Sequence, residues 1–218
     1  MSEKIDVKIY KFFADIVFKK TGIYYPERDY YRLDSRLEKM RKQFKFETIE
    51  DLYKKCSSLM TIDMEMYLID ICTNNETYFF RDQKPFDALT KEIIPDVMSE
   101  QQNIKIWSCA SSTGQEPLSI CMSIAEAGIN KPYLLDASDI SEQALAKAKS
   151  GVYSGLDVQR GLPIQLLVKY FEQEKEGFWK AKNEIHSRIN YFKFNLFTGH
   201  FKPNYYDIIF CRNVLIYQ

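Results

Sequence analysis

From Ile104 onward the sequence alternates. Three short runs rich in β-forming residues, IKIWSCA (104–110), YLLDAS (133–138) and YDIIFC (206–211), are separated by stretches with helical spacing. Strands joined through helices need crossover connections, so the alternation predicts a parallel sheet. The first part of the chain has the other period. Ile9, Phe12, Phe13, Ile16 and Val17 recur at three-to-four spacing and Gly22 supplies a stop, while Leu33, Leu37, Met40 and Phe44 give a second apolar stripe after Pro26. Thr48 followed by Asp51 resembles a capping box opening a third helix, and Thr61 to Cys72 predicts a fourth. With no repeat, low-complexity tract or Pro-rich linker, the boundary near residues 73 to 90 reads as a change of architecture. Two domains are expected, helical first and α/β second.

Charge narrows the function classes. Thirty Lys and Arg residues balance thirty Asp and Glu residues, which leaves no global field to attract nucleic acid or an anionic membrane. Electrostatic recognition must be local. The five cysteines, Cys56, Cys72, Cys109, Cys121 and Cys211, are odd in number and lack a C-x-x-C pair, so they predict no disulfide framework and no metal site, and a reducing cytoplasm fits them. The opening MSEKIDVKIYKFF has no signal-peptide pattern, and no apolar run approaches the ~20 residues of a membrane span.

Candidate chemistry sits where the predicted strands end. In CASSTGQEPLS a small-residue turn with Gly114 lets backbone amides approach a ligand, although an ordinary strand-to-helix turn with Pro117 in the first helical turn accounts for it as well. Glu116 lies near the carboxyl end of a central strand, where open α/β sheets bind ligands. LLDASDIS places Asp136 and Asp139 at the end of the second strand, the position of an acid that accepts from ribose hydroxyls. Capping of the following helix is the competing reading of Asp139, with Ser141 a rival for that role. An acid after the second strand and one glycine after the first suit S-adenosylmethionine better than a pyrophosphate cofactor. In NETYFFRD, Asn75, Thr77 and Arg81 can line one side of a turn, while Phe79 and Phe80 read as core. In YDIIFCRNVLIY, Ile208 to Phe210 read as a buried strand with Arg212 and Asn213 at its carboxyl end.

NETYFFRD, IWSCASSTGQEPLS, ASDISEQALAKAKSGVY and YDIIFCRNVLIY together, in this order, resemble the signature segments of CheR-type chemoreceptor methyltransferases. The resemblance spans nearly the whole chain. It implies an N-terminal all-helical receptor-binding domain (1–73), a linker carrying active-site residues (74–89), and a Rossmann-like S-adenosylmethionine-dependent domain (90–218). A small β-subdomain at about 168–190 is implied too, drawing on the YF…FKFNLF stretch. Carried over by motif, Asn75, Thr77 and Arg81 line the methionine end of the cofactor, and Glu116 and Asp139 contact methionine or nucleoside. Asn195, Leu196, Cys211, Arg212 and Asn213 close the pocket, and Tyr217 faces the transferred methyl group. Arg81 and Tyr217 are the candidates for orienting the incoming carboxylate, a glutamate side chain on a receptor methylation helix. His186 and His200 lie outside the matched motifs and read as surface or loop residues.

Arg32, Arg36 and Lys39 form a basic stripe on the second helix, diluted by Asp34 and Glu38; the residues alone read as a solvated flank, and the resemblance assigns them to an acidic receptor helix. Trp179 falls in the implied subdomain. The chain departs from the family at Leu118, where tyrosine is usual, and at Ser111, where cysteine is common. It also stops at Gln218, where family members continue through a helix, another strand and a hairpin, so a truncated copy lacking its C-terminal strands is expected. A monomer acting on receptors is the leading expectation. A methyltransferase for another carboxylate and a non-catalytic binding remnant are the alternatives.

Overall fold

The computed structural model describes residues 5–214 and divides into two units. The first holds the chain up to Asn74, with Asn195–Gly199 and the chain from Asn213; the second holds Asn75–Phe194 and His200–Arg212.

The first unit contains α1 (Val7–Thr21), α2 (Tyr31–Gln43), α3 (Ile49–Ser58) and α4 (Ile62–Cys72). Three of these helices start where a short polar side chain accepts from an otherwise orphaned amide: Asp6 from Lys8, Thr48 from Asp51 and Thr61 from Met64. Helix α2 instead follows a 3-10 turn, Glu27–Asp29, after Pro26. Gly22 ends α1 in the left-handed region at φ 77°, returning its amide to the Phe18 carbonyl. The stripes read from the sequence become one core, in which Ile9, Phe13, Val17, Leu33, Leu37, Met40, Leu52 and Leu68 are buried. Phe12, Ile16 and Phe44 pack at its margin.

The second unit opens with α5 (Lys84–Ala88) and α6 (Ile94–Glu100), joined by a π-helical turn at Leu89–Ile93. Pro95 explains the widened turn: it has no amide to donate and its ring crowds the preceding turn. There follow β1 (Ile104–Cys109), α7 (Gln115–Glu126), β2 (Tyr133–Asp139), α8 (Glu142–Ser150), β3 (Val152–Ser154), α9 (Gly155–Gln159) and α10 (Ile164–Tyr170). The remaining elements are β4 (Phe171–Lys175), β5 (Phe178–Ala181), α11 (Asn183–His186), β6 (Ile189–Lys193) and β7 (Ile208–Cys211). Strands β6, β2, β1 and β7 lie in that order and pair in parallel, with Ile106 opposite both Leu135 and Ile208. Alternation along each strand sends Ile104, Ile106, Leu135, Ala137, Ile208 and Phe210 into one core with Leu118 and Met122 of α7. The carboxyl ends of β1, β2 and β7 therefore share one edge, where β1 and β2 pass into the turns before α7 and α8.

Two sequence expectations need correction. The antiparallel β-subdomain has the order β3-β5-β4 and begins at Val152, earlier than the expected 168; the stretch leading into FKFNLF supplies β6 of the parallel sheet instead. Strand β7 is also not buried throughout, because Ile209 is 55% exposed on the face opposite Ile208 and Phe210. Among the described residues, no helix is long and apolar enough to cross a membrane.

Candidate active site

At the end of β1 the backbone turns sharply. Ala110 and Ser112 take φ values of 56° and 50°, and Gly114 takes 92°. Left-handed residues other than glycine cost roughly 1 kcal/mol or more each, so such a turn persists only when its surroundings hold it. Asp139 does much of this holding. One carboxylate oxygen accepts from the Ser112 amide at 2.7 Å and the other from the Ser141 amide at 2.9 Å. The Ser111 amide donates to the Ser138 carbonyl at 2.9 Å, and the Ser112 hydroxyl to the Asn75 carbonyl at 2.8 Å. Ser141 caps α8 through the Ala144 amide, so Asp139 is used to join two strand-end turns and does not cap that helix.

Gly114 serves the interior. A Cβ there would lie 2.9 Å from the Tyr153 hydroxyl, 3.0 Å from Ala148 Cβ and 3.0 Å from the Tyr191 hydroxyl. The close approach that this position requires is to protein atoms.

Beside the turn, the Glu116 carboxylate accepts from the Ser108 hydroxyl at 2.8 Å and from Arg212 Nη1 at 3.0 Å. The other guanidinium nitrogen donates to the Arg81 carbonyl and, at 3.0 Å, to the Asp82 carboxylate. Both members of the Glu116–Arg212 pair are largely covered, with side chains 14% and 16% exposed. Burial pushes the Glu116 carboxyl up from its ordinary range, against the Ser108 and Arg212 hydrogen bonds that favour its ionised form.

NETYFFRD forms a turn held from several directions. Phe79 is fully buried, edge-on to Tyr153 at 5.2 Å, while the Phe80 amide donates to the Ser119 hydroxyl at 3.0 Å. Phe80 and Asp82 have φ values of 51° and 54°. Arg81 donates to the Glu76 carbonyl at 3.2 Å, and its guanidinium lies 5.5 Å from the Tyr78 ring centre. Thr77 and Asn75 are half-buried.

Asn75, Thr77, Arg81, Glu116, Asp139, Cys211 and Arg212 thus belong to the second unit, most of them linked through the network above. Cys211, exposed, ends β7 opposite Cys109. Asn195, Leu196 and Asn213 belong to the first unit, where the Asn195 amide donates to the Lys20 carbonyl at 2.7 Å. Tyr217 lies outside the described residues. On α2, Arg36 is used in the fold: it donates to the Ile71 carbonyl at 2.9 Å and to the Arg32 carbonyl at 2.6 Å. Arg32 and Lys39 are exposed. His186 is not a surface residue; its ring is half-buried, 2.9 Å from the Ala148 carbonyl. Sequence reasoning missed Ser108 and Asp82, which depend on strand facing and on a turn, and Gly161, which at φ +85° lies against the Phe79 carbonyl, a contact that no spacing in the sequence shows.

The donor set fits a cationic nucleoside ligand. Glu116 and Asp82 share the Arg212 guanidinium, the Asp139 carboxylate is held by the Ser112 and Ser141 amides, and the buried Ser111 hydroxyl has no protein partner among the described residues. A parallel sheet with an acid at the end of β2, another in the first turn of the helix after β1 and a small-residue turn between them defines a Rossmann-like, nucleoside-binding α/β domain. Residues 75–218 match the family described as CheR methyltransferase, SAM binding domain. A chemotaxis protein methyltransferase of Vibrio parahaemolyticus is 36% identical over 213 residues, covering 95% of this chain and 78% of the relative. Chemotaxis protein methyltransferase 1 of Pseudomonas aeruginosa is 33% identical over 224 residues, covering 97% and 79%. The chemotaxis protein methyltransferase of Borreliella burgdorferi is 34% identical over 216 residues, covering 93% and 75%. The chain belongs to the CheR methyltransferase family.

Proposed function

We propose that this methyltransferase acts in chemotaxis by esterifying glutamate side chains on the cytoplasmic methylation helices of chemoreceptors. The carrying observation is the Glu116–Arg212 pair at the strand ends, anchored to Asp82 and the Arg81 carbonyl, in a chain that matches this family across its catalytic segment. The names of the relatives support the chemotaxis role.

S-adenosylmethionine, when bound, supplies a methyl group already activated by a positive sulfur, and transfer to a carboxylate oxygen leaves a methyl ester and S-adenosylhomocysteine. A glutamate side chain is ionised at neutral pH, so the protein needs no general base. Its work is placement. Glu116 and Asp139 offer negative charge to the amino group and to the ribose hydroxyls. Asn75, Thr77, Cys211 and Arg212 complete the cofactor contacts in the second unit. Asn195, Leu196 and Asn213 are assigned to cofactor binding by the resemblance, and Tyr217 to the methyl acceptor. Arg81 orients the incoming carboxylate; its existing contacts with Tyr78 and the Glu76 carbonyl temper its charge, which limits over-stabilisation of the ground state. Arg32 and Lys39 present positive charge to an acidic receptor helix, with Arg36 fixing the stripe from beneath. The enzyme works as a monomer in the cytoplasm.

The test is transfer of labelled methyl from S-adenosylmethionine to a chemoreceptor cytoplasmic fragment. Expected is base-labile label on receptor glutamates, reduced about a hundredfold by Arg81→Ala, as loss of a positioning group worth ~2.7 kcal/mol would give. Base-stable label, or none on any receptor fragment, would overturn the assignment.

A further inference from the structure

Cys109 and Cys211 are register partners on the neighbouring parallel strands β1 and β7. Neighbouring strands run about 4.8 Å apart, inside the Cα separation that a disulfide spans. Register partners in a sheet project to the same face, and the Cys109 thiol, which donates to the Phe210 carbonyl at 3.0 Å, sits against the residue that precedes Cys211. Their exposures differ: Cys109 is 2% exposed, whereas Cys211 is open to solvent. The other three cysteines are buried. This pair therefore joins an accessible thiol to a sheltered one within reach of it.

We propose that Cys109 and Cys211 form a reversible dithiol–disulfide site whose oxidised state disables cofactor binding. The oxidant is a hydroperoxide. The Cys211 thiolate attacks the peroxide oxygen, breaking the O–O bond and releasing water or an alcohol after protonation, and becomes a sulfenic acid. The Cys109 thiol then attacks that sulfur, its proton joining the departing hydroxide as a second product water. Two thiols have lost two electrons and the peroxide has gained them. Burial and the neighbouring thiol push Cys109 well above the ordinary cysteine range, so the peroxide meets exposed Cys211 first, and Cys109 reacts only in the second step, where its register position beside Cys211 makes the attack intramolecular. Intracellular disulfides in most proteins are transient and redox-sensing, and a thiol reductant reverses this one.

The consequence for the cofactor rests on the proposed site. Cys211 immediately precedes Arg212, whose guanidinium holds Glu116, Asp82 and the Arg81 carbonyl; Cys109 immediately precedes the left-handed Ala110. A bond drawing the two sulfurs together shifts both strand ends, misplacing Arg212 and the turn held by Asp139.

The experiment treats the reduced chain with hydrogen peroxide, then combines non-reducing peptide mass spectrometry with titration of S-adenosylhomocysteine. Expected is a Cys109–Cys211 cross-linked peptide, with affinity lowered at least about tenfold and restored by dithiothreitol. In Cys109→Ala the cross-link is absent and Cys211 is trapped as sulfenic acid by dimedone. Phenylarsine oxide, which bridges paired thiols, should bind the reduced wild type and not this variant. Oxidation of Cys211 without a link to Cys109, or a cross-linked chain that binds S-adenosylhomocysteine as before, would overturn the proposal. The cross-link is read by mass, so failure of the cofactor reading shows separately, as a reduced chain that does not bind S-adenosylhomocysteine.

Discussion

Glu116 is held between opposing effects. Burial raises its carboxyl, while Ser108 and Arg212 stabilise the anion. Because the folded value lies above the unfolded one, protonation favours the folded chain. This group's contribution to stability is complete below the unfolded value and is lost as pH rises through the folded one. Binding of a ligand amino group runs the other way, since it needs the anion. Wild-type affinity for S-adenosylhomocysteine should therefore fall on acidification at a pH above the ordinary glutamate range. Glu116→Gln should bind roughly tenfold more weakly at neutral pH, a loss of ~1.4 kcal/mol, and respond little to acidification. Calorimetric titrations across pH check both. The placement of Glu116 after β1 and of Asp139 at the end of β2 was legible in the sequence because the strand-to-helix alternation fixes where each strand stops. Ser108 was not, because its pairing with Glu116 depends on which face of β1 turns toward α7.

At the scale of elements, helices were read well where a stop or cap was visible, as in α1 with Gly22 and α3 with Thr48; α4 was also placed, and the structure adds Thr61 as its cap. The β-subdomain was misplaced because β3 has three residues and carries no period of its own. Strand β6, INYFK, alternates and so resembles a two-layer strand, yet its partner β2 draws it into the parallel sheet. Gly161 illustrates a constraint that sequence spacing conceals: at φ +85°, a Cβ there would lie 2.0 Å from the Phe79 carbonyl oxygen. Gly161→Ala should displace the NETYFFRD turn and destabilise the second unit by about 1–3 kcal/mol, with weaker S-adenosylhomocysteine binding; thermal melting and titration measure the two effects. In the helical unit, Leu37 has no exposed surface, and Leu37→Ala should cost about 2–5 kcal/mol by urea unfolding.

The whole molecule combines a helical unit with an α/β unit, and its charge is balanced overall while concentrated locally. The proposed function draws on groups gathered at the strand ends, where Asp139 joins the turns after β1 and β2, and Glu116 and Arg212 link β1, α7 and the end of β7. Calorimetric titration of S-adenosylhomocysteine into this chain, beside an Asp139→Ala variant whose fold is checked by circular dichroism, tests that account most directly. The account requires saturable binding of one equivalent by the wild type and its loss in the folded variant. A folded wild type that takes up no ligand, or a variant that binds equally well, would contradict it.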